Sequence, residues 1–245
     1  MDHFYCIIDD IEKKEDYYLI KAYKVDDKKS FHSENESIED KYGLNSIFFS
    51  INKLSKPSFL LHYKKALENA KLETRTNILN LGVNRGDEFE VMKKLSKNFS
   101  EQKFLGIDYC SSAIKEAEDL FANDKNISFL QADIKELASC NIGEYDLIVS
   151  IATLQSSNLE FNKTLMDIVQ NHLKKDGAMI LGFPNCRWVG DNIFYGAKAK
   201  NYSFSEMSLL YKDVMFCKKY LQQKKFRVTI TGKDYIFLTA TSIRQ

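Results

Sequence analysis

Two hundred and forty-five residues of 28.4 kDa, 44% hydrophobic and 13% aromatic, fit one α/β domain of ordinary size and exclude a disordered chain. Thirty-five Lys and Arg against 34 Asp and Glu leave a formal net charge of +1, which argues against a dedicated nucleic-acid or polyanion binder. No apolar run approaches bilayer length, no basic-then-apolar leader opens the sequence, and the five cysteines (6, 110, 140, 186, 217) lack metal or redox spacing, so a cytoplasmic protein with reduced thiols is expected.

In chain order, Phe4 to Ile8 and Tyr17 to Ile20 are β-prone runs around the charged stretch Asp9 to Asp16, which predicts a hairpin with a polar loop. Residues 27 to 42 are almost wholly polar and predict a loop or mobile segment. Pro57 suits a helix start, and Phe59, Leu60, Tyr63, Ala66 and Leu67 follow with helical periodicity. Residues from about Lys41 to Tyr63 are expected to form either a lid over a ligand or a fixed cap.

From Asn77 strands alternate with helices, the pattern of a doubly wound, mostly parallel sheet with helices on both faces. Strands are predicted at Ile78 to Leu81, Phe104 to Ile107, Ile127 to Leu130, Asp146 to Ile151 and Ala178 to Phe183. Phe89, Met92, Leu95 and Phe99 mark one intervening helix; Ile114, Ala117, Leu120 and Phe121 mark the next. Leu165, Ile168, Val169, His172 and Leu173 give the strongest helical stripe, with Lys174, Lys175 and Gly177 as its basic last turn and C-cap. His172 on that apolar face reads as a core histidine. Leu210, Val214, Cys217 and Leu221 line a last helix, and Phe226 to Ile230 and Tyr235 to Thr239 are terminal β runs. The division expected is a cap or lid over residues 1–74 and a ligand-binding domain over 75–245, with a substrate insert near 185–206.

The chemistry concentrates at strand ends. The first strand of the alternating part runs into Gly82-Val83-Asn84-Arg85-Gly86-Asp87, where glycines admit a close ligand at a helix N-terminus. The second ends in Asp108, where an acid can hold ribose hydroxyls, and the third in Asp133. Asp108 could instead be a helix N-terminal acid before Ser111, and Asp133 could be a plain loop aspartate.

With the glycine turn NLGVNRGDE, the strand-end acid in GIDYCSSAI, the pair QADI, and YDLIVSIATLQ followed by KKDGAMILGFPN, the chain resembles class I S-adenosylmethionine-dependent methyltransferases over residues 75 to 245. The resemblance implies a seven-stranded sheet whose last strand inserts antiparallel, and S-adenosyl-L-methionine as cofactor. It places Asn80, Gly82, Val83 and Gly86 at the methionine end, Asp108 at the ribose, Tyr109 beside the adenine, Asp133 and the Ile134 backbone at the adenine amino group, and Ser150 under the sulfonium. Asn80 stands where the family usually has an acid, and Asn84 where it usually has a glycine.

No Asn/Asp-Pro-Pro-aromatic tetrad and no Pro-Cys follow the fourth strand, which disfavours nucleobase methylation. Ser150 replaces the aspartate of metal-dependent relatives, so no metal is expected, and Gln155 stands where many small-molecule members carry histidine, which leaves a catalytic base unassigned. The aromatic and basic insert Arg187, Trp188 and Tyr195 predicts an anionic small-molecule acceptor clamped by Arg187. The alternatives are a non-catalytic S-adenosylmethionine-fold binding or regulatory protein, and an RNA methyltransferase.

Overall fold

The computed structural model describes residues 6–24, 52–155, 159–189, 192–195 and 207–244. It begins with an antiparallel pair, β1 (Cys6–Lys13) and β2 (Tyr18–Lys24). The expected hairpin is present, but β1 runs on through the charged stretch assigned to the loop. Lys21 of β2 explains how, since it bonds Asp10 at 3.2 Å and Glu12 at 2.5 Å and neutralises acids that would otherwise repel along the strand. Residues 27 to 42 lie outside the described ones.

After a short 3₁₀ turn (Lys53–Ser55), α1 (Pro57–Asn69) starts at its proline, whose fixed φ suits a first helical turn. Phe59, Tyr63, Ala66 and Leu67 are buried, while Leu60, expected on the same face, is 37% exposed. The rings of Phe59 and Tyr63 pack on Tyr235 and Phe237 at 5.2 and 5.9 Å between centroids. Burying each is worth roughly 1.5–3 kcal/mol. Of the segment expected as lid or cap, residues 41–51 lie outside the described ones, and from 57 to 63 Phe59 and Tyr63 are buried in the core while Leu61 is exposed.

The remaining elements are β3 (Asn77–Leu81), α2 (Asp87–Leu95), β4 (Lys103–Asp108), α3 (Ser111–Leu120), β5 (Ile127–Gln131), β6 (Tyr145–Ile151), α4 (Phe161–Asn171), β7 (Leu173–Pro184), β8 (Cys186–Val189), β9 (Asn192–Tyr195), α5 (Met207–Gln223), β10 (Phe226–Gly232) and β11 (Tyr235–Ser242). Seven strands form one sheet in the order β10-β11-β7-β6-β3-β4-β5. β11 lies antiparallel to both neighbours, and the other pairings are parallel. The expected doubly wound sheet with an inserted antiparallel strand is therefore present.

Alternation along the strands builds two cores. Ile78, Leu147, Val149 and Ile180 meet α1 and α2 on one face. Leu79, Ile148, Met179 and Leu181 meet α4 and α5 on the other. Leu120, expected to be inward, is 57% exposed, while Phe121 just past α3 is buried.

One boundary differs from the sequence pattern. α4 stops at Asn171, and Lys174, Lys175 and Gly177 belong to β7 rather than to a helical last turn. Tyr145 pairs with Leu173 and Leu147 with Ala178, so these residues form an irregularity that lets the ladder start early. A Cβ at Gly177 would sit 2.9 Å from the Lys174 carbonyl oxygen and 3.1 Å from that of Asp146, a close backbone approach that requires glycine. The insert differs too, since β8 and β9 form an antiparallel pair in which Arg187 faces Phe194 in register and Trp188 faces Ile193.

Candidate functional site

The strand order reverses between β3 and β6, because the chain steps from β3 outward to β4 and β5 and then returns to β3's other side. Ligands of open α/β sheets bind at the carboxyl edge of such a point. Here the turn after β3, the ends of β4 and β5, and the end of β6 converge.

The turn is built from strained backbone. Gly82 and Gly86 have φ of 73° and 90°, and Asn84, at 48°, occupies the left-handed region that asparagine tolerates. Ala152 after β6 has φ of 63°, a conformation that costs an alanine about 1–2 kcal/mol. A Cβ at Gly82 would lie 2.0 Å from Thr153 Oγ1, so the turns after β3 and β6 touch only because residue 82 has no side chain.

The amides of this turn are taken. Gly82 and Val83 donate to the Ile107 carbonyl at 2.8 and 3.0 Å, Gly86 donates to Val83, and Asn84 donates to Asp108 Oδ2 at 2.8 Å. These glycines therefore permit close approach but do not cradle an anion with their own N–H groups, as the sequence pattern suggested. Val83 is fully buried, and any Cβ on Gly106 would meet its methyls at 2.9 Å.

Asp108 joins the turn to β4 and α3. Its second oxygen accepts from the Cys110 N–H at 3.0 Å. Burial raises its pKa, opposed by the Cys110, Asn84 and Tyr109 amides and by the Lys53 charge. The residue thus ties the turn after β3 to the loop that leads into α3, whose N-cap is Cys110, and a carboxylate keeps further lone pairs for hydroxyl donors. Tyr109 beside it is 47% exposed. Asp133 is the N-cap of a 3₁₀ helix (Ile134–Ser139) and accepts from the Lys135 N–H at 2.9 Å, with Ile134 packed against the second core.

On the β6 side the polar groups are differently placed. Asn80 and Ser150 are 1% and 2% exposed on adjacent strands, one register step apart, so Asn80 faces α1 and α2 while Ser150 faces α4 and α5. Asn80 Oδ1, Ser150 Oγ and Gln155 Oε1 have no hydrogen-bond partner among the described residues. Buried polar atoms of this kind are uncommon and need a ligand or water.

A charge pair absent from the sequence reading lies beside them. Glu88 of α2 is 1% exposed; Lys53 Nζ reaches its Oε1 at 2.5 Å, and Asn80 Nδ2 reaches Oε2 at 3.3 Å. Burial works against the Lys53 charge, but the carboxylates of Glu88 and Asp87 outweigh it and raise its pKa. Tyr63, whose hydroxyl is buried without a partner among the described residues, is pushed well above the ordinary phenol value by burial and by Glu88. Separation by 35 positions hides the Lys53–Glu88 pair from any local pattern. The acidic first turn Asp87, Glu88, Glu90 is the one readable hint.

Arg187, Trp188 and Tyr195 lie on the β8–β9 hairpin, which leaves β7 at Pro184, on the same edge as Ser150. Their side chains are outside the described set. His172 is 5% exposed with Nδ1 at 3.0 Å from the Gly143 carbonyl, a core histidine as expected. Among the described residues no cluster of His, Cys, Asp and Glu could hold a metal, and no helix is long and apolar enough to cross a membrane.

A family model for a methyltransferase domain matches residues 72–231. Among solved structures, a SAM-dependent methyltransferase from Aquifex aeolicus is 17% identical with a TM-score of 0.55, covering 78% of this chain and 96% of its own. The N-methyltransferase NodS from Bradyrhizobium japonicum, in complex with S-adenosyl-L-homocysteine, is 15% identical with a TM-score of 0.54, covering 77% and 89%. The plantazolicin methyltransferase BpumL, in complex with a monoazolic desmethylPZN analog and SAH, is 14% identical with a TM-score of 0.54, covering 76% and 84%. No curated protein is similar in sequence.

Proposed function

The chain belongs to the methyltransferase-domain family with the class I S-adenosylmethionine-dependent fold, and from that premise we propose that it methylates a small anionic molecule without a metal ion. One observation carries the placement of the cofactor. Buried, unpartnered acceptors of Asn80, Ser150 and Gln155 stand at or just past the carboxyl ends of β3 and β6, on both faces of the switch point, next to a turn that Gly82 and Gly86 keep bare. A ligand rich in N–H and O–H donors fits that set.

When bound, S-adenosylmethionine supplies a methyl carbon already activated by a sulfonium. Asp108 accepts from the ribose hydroxyls while the Asn84 and Cys110 amides hold its carboxylate in place. Tyr109 offers a half-exposed ring to the adenine, and Asp133 and the Ile134 backbone meet its amino edge. Asn80, Ser150 and the turn from Gly82 to Gly86 enclose the methionine end. The work left to the protein is alignment of the acceptor and exclusion of water. A carboxylate or phosphate acceptor needs no proton removed, which agrees with Gln155 rather than a base after β6.

The β8–β9 hairpin is the acceptor wall in this reading, with Arg187 as a planar fork for the anion and Trp188 and Tyr195 as its apolar sides. Incubation with labelled cofactor and a cytosolic metabolite extract should move label onto an acidic metabolite at a rate indifferent to a chelator. Arg187→Ala should then lower kcat/KM for that acceptor at least tenfold with S-adenosylhomocysteine affinity unchanged. Label on RNA, or a rate abolished by the chelator, would refute the proposal.

A further inference from the structure

Resting on that cofactor placement, we propose that Glu88 and Lys53 read the amino-acid tail of the cofactor as a pair, Glu88 taking its ammonium and Lys53 its carboxylate. Residue 80, where the resemblance calls for an acid, is a neutral amide, and its Nδ2 leans on Glu88 Oε2 at 3.3 Å. The negative charge is therefore present at the end of β3, but it comes from the second residue of α2. Glu88 is 1% exposed, and a carboxylate that deep persists only beside a cation or strong donors.

The cation comes from outside the sheet. Lys53 precedes α1, its Nζ meets Glu88 at 2.5 Å, and its charge also favours the ionised form of Asp108. The other cation at the turn, Arg85, is already bonded through Nε to Asp87 Oδ1 at 2.8 Å. The amides of Gly82, Val83, Asn84 and Gly86 are spent on neighbours, and the first turn of α2 carries Asp87, Glu88 and Glu90. A zwitterionic tail entering between Lys53 and Glu88 replaces one ion pair by two, with the charge balance kept. Asn80 Oδ1, unpartnered beside Glu88, is a further acceptor for the ammonium.

Calorimetry on the full chain with two ligands isolates the tail. S-adenosylhomocysteine carries it; methylthioadenosine keeps the adenosine and the sulfur without it. The double variant Lys53→Met/Glu88→Gln removes both charges together and leaves neither one buried alone. We expect its affinity for S-adenosylhomocysteine to fall at least tenfold while methylthioadenosine binds within twofold of the unaltered protein. Unchanged S-adenosylhomocysteine affinity, or an equal loss for both ligands, overturns this assignment and leaves the pair structural. An unaltered protein that binds neither ligand overturns the cofactor placement, and this inference with it.

Discussion

On the β4 side of the turn after β3, both oxygens of Asp108 are met by backbone N–H groups, and Asp133 bonds the Lys135 amide. On the β6 side, Asn80, Ser150 and Gln155 keep buried acceptors without partners, and the one strong interaction is an ion pair from distant chain segments. The first half is finished before any ligand arrives. The second is held ready by charge and completed by the ligand. If the cofactor lies as proposed, the adenosine end meets groups already fixed by the fold and the adjustment falls at the methionine end.

The largest expected effect on stability breaks the second half. Glu88→Ala removes the partner of the partly buried Lys53 ammonium and should destabilise by roughly 1–3 kcal/mol in denaturant unfolding, because a desolvated charge loses its compensation. A loss below about 1 kcal/mol would mean water already solvates Lys53, and the contrast between the halves would shrink. Next comes Asp108→Ala, which frees the Asn84 and Cys110 amides and removes the ribose acceptor. Affinity should drop by roughly 1.5–3 kcal/mol for S-adenosylhomocysteine and methylthioadenosine alike. A loss for only one of them would erase the boundary drawn here between the two ends.

The smallest effect is in pH. Burial raises the Asp108 pKa above its ordinary 3.8, so the folded protein holds that proton to a higher pH than the unfolded chain does. Between the two values stability from this group falls as pH rises. Hydroxyl donors favour the charged form, so affinity should climb with pH through the same window and then level, with proton release on binding. Calorimetry in two buffers of different protonation heat measures that release, and none at the acid edge would remove Asp108 from the ribose. Lys53 titrates above its ordinary 10.5, so the other half stays flat over this range.

The adenosine half was readable because each part is local: an apolar strand, glycines at its end, then an acid closing the next strand. The ion pair was not, since Lys53 lies in a short link of mixed polarity before α1 and meets Glu88, 35 positions on, only through the tertiary fold. The run Leu173-Lys174-Lys175-Asp176-Gly177 misled in the opposite way. It continues the helical stripe of α4, but pairing with β6 captures it as strand, a case of tertiary contacts overriding a local preference. For β8–β9 the signal was present, Gly190-Asp191 between apolar residues, and a hairpin is its plain meaning.

The position of β11 bears on how the molecule is made. It is the last of the seven strands in sequence, yet it lies inside the sheet, between β7 and β10. Until it emerges from the ribosome, β7 presents a bare edge of Met179, Ile180 and Leu181, and Phe59 and Tyr63 lack Phe237. A nascent chain arrested there offers other chains an apolar strand to pair with. Its vulnerability to aggregation is thus set by the moment β11 is made, and a stall before Tyr235 is where it should be greatest.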